Sequence, residues 1–288
     1  MTHTIPKSIA ARQPEPEQRI PRILHQTFKT ADVPDAMHSA AMSWSGLNPG
    51  YEYRFYDDAD HLPFLRSHFD KRVADAYGKL TEGAFRADLW RYCVLYEHGG
   101  VYADIDSVCK TPLDQIIGTD DEFIVPAEAG TGGPPHSVFN AFICSTPGHP
   151  FLARTIEYAT EMIHRSWRFD GFSMVGPGAL GAGINLALGR GAKASHLAGD
   201  HAQGPIRYRI LEKRAAQGDV PPLIVDGDRV LVQTRYDGYF SDLRASSVTH
   251  WLTSKAAPGL GERILNRYVK SRVIRRLRRQ GRSPLQYP

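Results

Sequence analysis

Two aspartates one residue apart, Asp104 and Asp106, end the run Gly99-Gly100-Val101-Tyr102-Ala103-Asp104-Ile105-Asp106. An apolar, β-branched and aromatic run after a Gly-Gly break reads as a short buried strand that carries two carboxylates to a sheet edge. Alternation points Asp104 and Asp106 to one side and Ile105 to the other. Two unpaired carboxylates at this spacing repel and raise each other's pKa. A divalent cation removes that conflict, and Mg²⁺ or Mn²⁺ held by one or two carboxylates keeps positions open for phosphate oxygens. The pair therefore predicts a metal–diphosphate site. Such pairs also occur in solvated turns, so the element before them decides the reading.

That element runs from Thr81 to His98 and reads as one helix with a glycine stop. Thr81 fits the N-cap position and Gly99 the C′ position. Phe85, Leu89, Tyr92, Val94, Leu95 and Tyr96 form a broad apolar face. Asp88 and Arg91, three apart, share a face. As a surface ion pair they would contribute less than about 1 kcal/mol. Set in a largely apolar helix that leads straight into the aspartate strand, they are expected to face the same pocket.

The rest of the chain must build the frame. Strand-like runs at 22–27, 53–56, 101–104, 123–126 and 141–144 alternate with helical runs at 81–98 and 151–167. This order predicts an α/β fold, a mostly parallel twisted sheet flanked by helices on both faces. Ligands in such sheets bind beyond the carboxyl ends of the strands, where Asp104 and Asp106 fall. A chain of 288 residues with 42% hydrophobic and 23% charged residues fits one large soluble core.

The block from Phe85 through Leu89-Trp90-Arg91-Tyr92 to Gly99-Gly100-Val101-Tyr102-Ala103-Asp104-Ile105-Asp106 resembles the DXD sugar-binding region of glycosyltransferase family 32. That family includes yeast-type initiating α-mannosyltransferases, inositolphosphoceramide mannosyltransferases and bacterial capsule or lipooligosaccharide transferases; clostridial glucosylating toxins share the block more distantly. Ile20-Pro21-Arg22-Ile23-Leu24-His25-Gln26-Thr27-Phe28 is similar to the family's opening strand, and 51–58 to its second. Asn140-Ala141-Phe142-Ile143 with Gly148-His149-Pro150-Phe151 is similar to the strand and turn after the metal site. The resemblance covers residues 20–185 well and 230–255 loosely.

The resemblance implies a GT-A-type nucleotide-sugar-binding fold and a metal-dependent, retaining hexosyltransferase. Asp104 and Asp106 would hold Mn²⁺ or Mg²⁺ and, through it, the nucleotide diphosphate, with Asp104 also reaching the ribose. Asp88 and Arg91 would bind donor-sugar hydroxyls, and Tyr102 would line the pocket. Phe28 stands where the family usually has Trp and would stack on the base; core packing is the alternative for both aromatics. His250, in Val248-Thr249-His250-Trp251, would complete the metal shell. The turn Gly176-Pro177-Gly178 would border the acceptor. No Gly-Lys-Ser/Thr follows it, so it is not a phosphate loop. His25 is expected to be structural.

The donor would be a UDP-hexose or GDP-mannose, and the acceptor a glycan or a lipid-linked intermediate of cell-surface polysaccharide or glycolipid synthesis. Two other readings compete: an inactive carbohydrate-binding module of the same fold, and a haloacid-dehalogenase-like phosphatase. The phosphatase fold carries its aspartates on the first strand, whereas Asp104 follows at least two.

Residues 1–19 are polar, contain three prolines and lack an apolar run, so they are expected to be disordered and no anchor. Residues 20–258 form the transferase domain and 259–288 a basic helix or tail. Cys93, Cys109 and Cys144 suit reduced thiols and a cytoplasmic, bacterial enzyme rather than a zinc site. Residues 262–282 hold nine basic residues against Glu262, a net of +8 in a chain of net +4, so the rest carries −4. Leu265, Val269, Val273 and Leu277 recur every four residues there. This pattern predicts a basic amphipathic helix at an anionic membrane surface, placing the enzyme peripherally at the inner face. A solvated tail or a helix packed on the protein body is the alternative, and nucleic acid is not expected as a partner.

Overall fold

Alternation along Val101-Tyr102-Ala103 sends neighbouring side chains into two different cores. Tyr102 enters one with Leu89, Trp90, Tyr92 and Phe151. Val101, Ala103 and Ile105 enter the other with Trp44, Tyr53 and Phe142. The strand Gly100–Ala103 is buried along its whole length, as an uninterrupted apolar strand requires. The computed structural model describes residues 2–12, 17–128, 133–165, 170–245 and 260–279.

Gly100–Ala103 lies inside an eleven-stranded sheet. On one side stands Ile23–Thr27, parallel to it, and then Glu52–Tyr56, parallel again. On the other side stands Phe142–Ser145, antiparallel. Next come Phe123–Pro126, antiparallel to that strand, and Ile206–Arg214, parallel to Phe123–Pro126. The carboxyl ends at Thr27, Ala103, Pro126 and Arg214 therefore share one edge with the start of Phe142–Ser145.

The α/β class and flanking helices agree with expectation; the expected predominance of parallel pairs does not hold. Helices connect Ile23–Thr27, Glu52–Tyr56 and Gly100–Ala103, so these run parallel. The connection from Phe123–Pro126 to Phe142–Ser145 contains no helix among its described residues, and the chain returns antiparallel. Leu223–Asp226 and Arg229–Gln233 form a hairpin through Gly227 at φ 58°, which is antiparallel by construction.

The helix before the aspartates spans Gly83–His98. Its start differs from expectation: Glu82 is the N-cap residue, with no side-chain cap bond, and Thr81 lies outside. Its stop is as expected. Gly99 has φ 64° and donates its N–H to the Leu95 carbonyl at 2.9 Å. A Cβ on Gly99 would lie 2.7 Å from Pro147 Cδ, and one on Gly100 would strike the Ile23 carbonyl. The Gly-Gly break thus lets the chain turn from helix to strand against two close neighbours.

The N-terminal segment departs from the sequence reading. Within the segment expected to be disordered, Thr2–Thr4 pairs with Asp32–Pro34, and Ser8–Ile9 pairs with Tyr53 and Arg54. Ile5, one apolar residue among polar ones, is buried in the second core and anchors both strands. The basic helix is present as Leu260–Arg279. Val273 and Leu277 are buried against Tyr158, Met162 and Ala182, so this part of its apolar stripe faces the protein body. No described helix is long and apolar enough to cross a membrane.

Candidate functional site

Arg91 is the hub of the carboxyl edge. Its Nη2 lies 3.1 Å from Asp88 Oδ1 and 3.1 Å from Asp104 Oδ1. Its Nη1 donates to the Asn140 carbonyl at 2.7 Å, and its guanidinium sits 4.5 Å from the Tyr102 ring centroid. The side chain is only 4% exposed. Burial works against its charge, but Asp104, Tyr102 and Asp88 outweigh it and raise its pKa. The helix supplies Asp88 and Arg91 from one face, as their spacing requires, and the strand supplies Tyr102 and Asp104. Asp88, Tyr102 and Asp104 thus meet around the Arg91 guanidinium.

Asp88 is held from three directions. Asn140 Nδ2 donates to its Oδ1 at 2.8 Å and also lies 2.8 Å from the Tyr92 hydroxyl. A Cβ on Gly176 would lie 3.2 Å from Asp88 Oδ2, so the Gly-Pro turn closes against that oxygen. The Tyr92 hydroxyl donates to the Gly176 carbonyl at 3.3 Å. Burial pushes the Asp88 carboxyl up to about 6; Arg91 opposes this and Asp104 adds to it.

Asp104 follows the strand's last residue and begins a turn in which Ser107 N–H donates to the Asp104 carbonyl at 3.0 Å. Tyr102 Oη donates to Asp104 Oδ1 at 2.8 Å. Burial raises the Tyr102 pKa well above its usual value, so the hydroxyl keeps its proton. Strand alternation ends at Ala103, yet the two carboxylates still interact. Burial first, and then the charge of Asp104, push Asp106 up to about 7, while Arg235 and Arg91 pull it down.

Asp104 and Asp106 fit a hard divalent cation. They are oxygen donors, and the energetic conflict between them is one a cation removes. Among the described residues, no group of three or more His, Cys, Asp or Glu gathers to form a closed cage. Two carboxylates with further positions open is the pattern expected for Mn²⁺ or Mg²⁺ bound with phosphate.

The other expected site residues distribute unevenly. Phe28 lies one residue past Ile23–Thr27 on the same edge, half-buried against the second core. Gly176, Pro177 and Gly178 open the helix Pro177–Ala187 beside Asp88. His250 lies outside the described residues. His25 is structural: it is buried, its Nε2 is 3.0 Å from the Gly99 carbonyl, and burial drops its pKa to about 3. The three cysteines are free, buried thiols.

The sequence reading missed Asn140 and Tyr92 as polar partners and the segment 235–240. Tyr236 N–H donates to the Asp106 carbonyl at 2.9 Å. Burial first, and then the charges of Asp106 and Asp104, raise the Tyr239 pKa. The Arg235 guanidinium covers the Phe240 ring at 4.6 Å, and Phe240 is 47% exposed. Asn140 stands in its motif without an assigned role; 235–240, Arg-Tyr-Asp-Gly-Tyr-Phe, lies far along the chain with no periodicity that ties it to the site.

Residues 34–123 match the family described as glycosyltransferase sugar-binding region containing DXD motif. The chain is 29% identical over 243 residues to inositol phosphoceramide mannosyltransferase 2 of Schizosaccharomyces pombe, covering 80% of this chain and 59% of that protein. It is 31% identical over 144 residues to mannosyl phosphorylinositol ceramide synthase SUR1 of Saccharomyces cerevisiae, covering 50% and 36%. It is 29% identical over 102 residues to the initiation-specific alpha-1,6-mannosyltransferase of Saccharomyces cerevisiae, covering 33% and 21%. The chain thus spans less than two thirds of these relatives' own lengths. Among solved structures, PaToxG glycosyltransferase matches with a TM-score of 0.50 at 16% identity, over 59% of this chain and 70% of that one, a likeness of fold. The matched stretch holds Asp88, Arg91, Asp104 and Asp106, so these four residues lie in the part of the chain that is similar to glycosyltransferase sugar-binding regions containing a DXD motif.

Proposed function

We propose that the chain is a metal-dependent, retaining glycosyltransferase that moves a hexose from a nucleotide sugar to a glycan or lipid-linked acceptor in glycolipid or cell-surface polysaccharide synthesis. Mannose is the favoured sugar, because the named relatives are mannosyltransferases. We assign residues 20–258 to the transferase domain and place its work at the inner face of a membrane. The observation that carries the reading is the double engagement of Arg91 with Asp88 and Asp104 at 3.1 Å each.

Asp104 and Asp106 would hold the cation, which would supply positive charge to offset that on the leaving diphosphate. Asp88 offers Oδ2 to hydroxyls of the donor sugar and keeps Oδ1 for Arg91 and Asn140. Arg91 fixes the relative positions of the two carboxylates and adds positive charge where the glycosidic bond to phosphate breaks. Tyr102 keeps its proton and orients Asp104. The turn Gly176-Pro177-Gly178, which packs on Asp88, would border the acceptor. The acceptor oxygen attacks the face that the diphosphate leaves, and its proton passes to the departing phosphate oxygen, which yields an α-glycoside from an α-linked donor.

Incubation of the protein with GDP-mannose or UDP-hexoses, with Mn²⁺ or with EDTA, tests this. Metal-dependent release of GDP or UDP, with the α anomer in the transferred product, is expected. A β product, or a glycosyl group trapped covalently on the protein, overturns the retaining front-face assignment. Binding without any turnover reduces the protein to an inactive module.

A further inference from the structure

The helix Leu260–Arg279 builds an arginine-rich cleft against the end of the helix Pro150–Arg165. The cleft encloses about 640 Å³ between Arg165, Tyr268, Arg272, Arg275, Arg276 and Arg279. Its five guanidiniums have one described carboxylate among their ion-pair partners, Glu161, at 3.2 Å from Arg276 and also bonded by Arg165 and Arg72. Arg272, Arg275 and Arg279 form no ion pair among the described residues. Arg272 instead lies 5.4 Å from the Tyr268 ring centroid, and Tyr268 is 53% exposed. Three of the five guanidiniums thus have no carboxylate partner among the described residues.

The position of this cleft relative to the candidate site matters. Gly148 N–H donates to the Tyr96 carbonyl, so the helix Pro150–Arg165 starts beside the far end of Gly83–His98. It then runs back, and its His164 Nδ1 meets Lys79 Nζ at 2.9 Å, four residues before that helix begins. Arg165 therefore stands at the end of the helical layer where Asp88 and Arg91 face the pocket. The chain beyond returns to the site itself: Gly171 packs on the Phe85 ring and Gly176 on Asp88.

We propose that this cleft and the surrounding arginine face dock the enzyme on an anionic phospholipid surface, with the candidate site opening toward the same surface. The assignment rests on the lipid-linked acceptor proposed above. Because Val273 and Leu277 are used in packing on the body, the helix attaches by charge and by the exposed tyrosine. It does not sink an apolar face into the bilayer in the way an amphipathic anchor does. Guanidiniums match phosphate bidentately, and a tyrosine sits well at the headgroup level. Bringing the site to the plane of the headgroups gives it access to an acceptor whose sugar-bearing end projects from the membrane.

Flotation with vesicles tests the surface in the full chain. Strong binding is expected to vesicles of equal parts phosphatidylcholine and phosphatidylserine, and weak binding to phosphatidylcholine alone. Binding should fall steeply as salt is raised, because the Debye length shortens. In R272Q/R275Q/R279Q the affinity for mixed vesicles should drop on the order of 100-fold, from about 1 kcal/mol for each charge near the surface. Donor turnover without vesicles should be unchanged, since none of the three belongs to the site. R272K/R275K/R279K should retain most of the binding. Equal binding to both vesicle types, salt-independent binding, or undiminished binding by the glutamine variant overturns the proposal. So does tighter capture of RNA than of mixed vesicles at the same salt. Loss of donor turnover in the unaltered protein with vesicle binding intact removes the transferase reading and leaves the surface standing.

Discussion

Asn140 Nδ2 donates to Asp88 Oδ1 at 2.8 Å across 52 residues of chain, tying the strand after the aspartates to the helix before them. The same residue accepts from Arg91 Nη1 through its main-chain carbonyl at 2.7 Å. One half of Asn140 therefore depends on its side chain and the other does not. In Asn140→Ala the carbonyl still receives Arg91, but Asp88 loses a donor that holds its orientation. The expected result is a fall in kcat/KM for nucleotide-sugar turnover of about 10- to 100-fold. Loss of a partly buried hydrogen bond should cost stability only about 1 kcal/mol. Steady-state rates beside urea unfolding check both numbers, and a full loss of folding would show that Asn140 is chiefly a structural residue.

Arg91→Lys keeps the charge and loses the fork. A single ammonium cannot meet Asp88, Asp104 and the Asn140 carbonyl together. The two carboxylates would then repel with less between them, and turnover should drop by at least about 100-fold, given that one preorganised donor at such a centre supplies roughly 3 kcal/mol. Stability should also fall, by about 3 kcal/mol, because a buried carboxylate loses its partner. Thermal unfolding of the two proteins without ligand checks the second effect separately from the first. A lysine variant with unimpaired turnover would remove Arg91 from its role.

Asp106→Asn should move stability and function in opposite directions. Burial and the neighbouring Asp104 charge push the Asp106 carboxyl up to about 7, so at pH 8 the ionised group is held unfavourably. Replacing it with a neutral isostere removes that repulsion, and the protein without metal should gain about 1 kcal/mol. The stabilisation that Mn²⁺ with a nucleotide diphosphate gives the unaltered protein should vanish. Thermal shifts at pH 8, with Mn²⁺ and with EDTA, read both changes. A variant that still responds to Mn²⁺ as the original does would take Asp106 out of the metal site.

Much of this site is legible in one short stretch, and the reason is local. Asp88, Arg91, Tyr102, Asp104 and Asp106 lie within 19 residues, where helical spacing puts Asp88 and Arg91 on one face and the strand with the turn after it keeps the other three nearby. Gly99 and Gly100 announce the turn because their positions exclude a Cβ. Asn140, Gly176 and Tyr236 reach the same place through long connections, and no periodicity links them to it. The mixed sheet was hidden for a related reason: the lengths of apolar runs do not reveal direction, and the return from Phe123–Pro126 to Phe142–Ser145 is made by a connection without a predicted helix. Ile5 shows the limit of composition. Ile5, buried in the second core, and Ile9, packed against it, seat two short strands in a polar, proline-containing segment.

Acid should destabilise the fold, against a contrary contribution from the site. Burial lowers His25 and His149 to about 3 and His61 and His196 to about 4. Their unfolded values lie near 6.5. Between about pH 4 and 6.5 the unfolded chain therefore binds up to four protons that the folded one refuses, and this stability is lost as pH falls through that window. Asp88 and Asp106 have raised folded values, about 6 and about 7, against 3.8 for an ordinary aspartate. In the same window they bind protons in the folded state, so they oppose the histidines. For these six groups the net is about two protons, which corresponds to roughly 3 kcal/mol lost per pH unit near pH 5, and the lowered values of His98, His136 and Glu161 add to the loss. Urea midpoints at several values from pH 7.5 to 4.5 should fall accordingly. In Asp106→Asn one opposing carboxylate is gone, and the slope should steepen to about three protons, near 4 kcal/mol per unit. A slope unchanged by that substitution would mean that Asp106 titrates as an ordinary surface carboxylate, and its pairing with Asp104 would then fail on thermodynamic grounds independent of any assay of turnover.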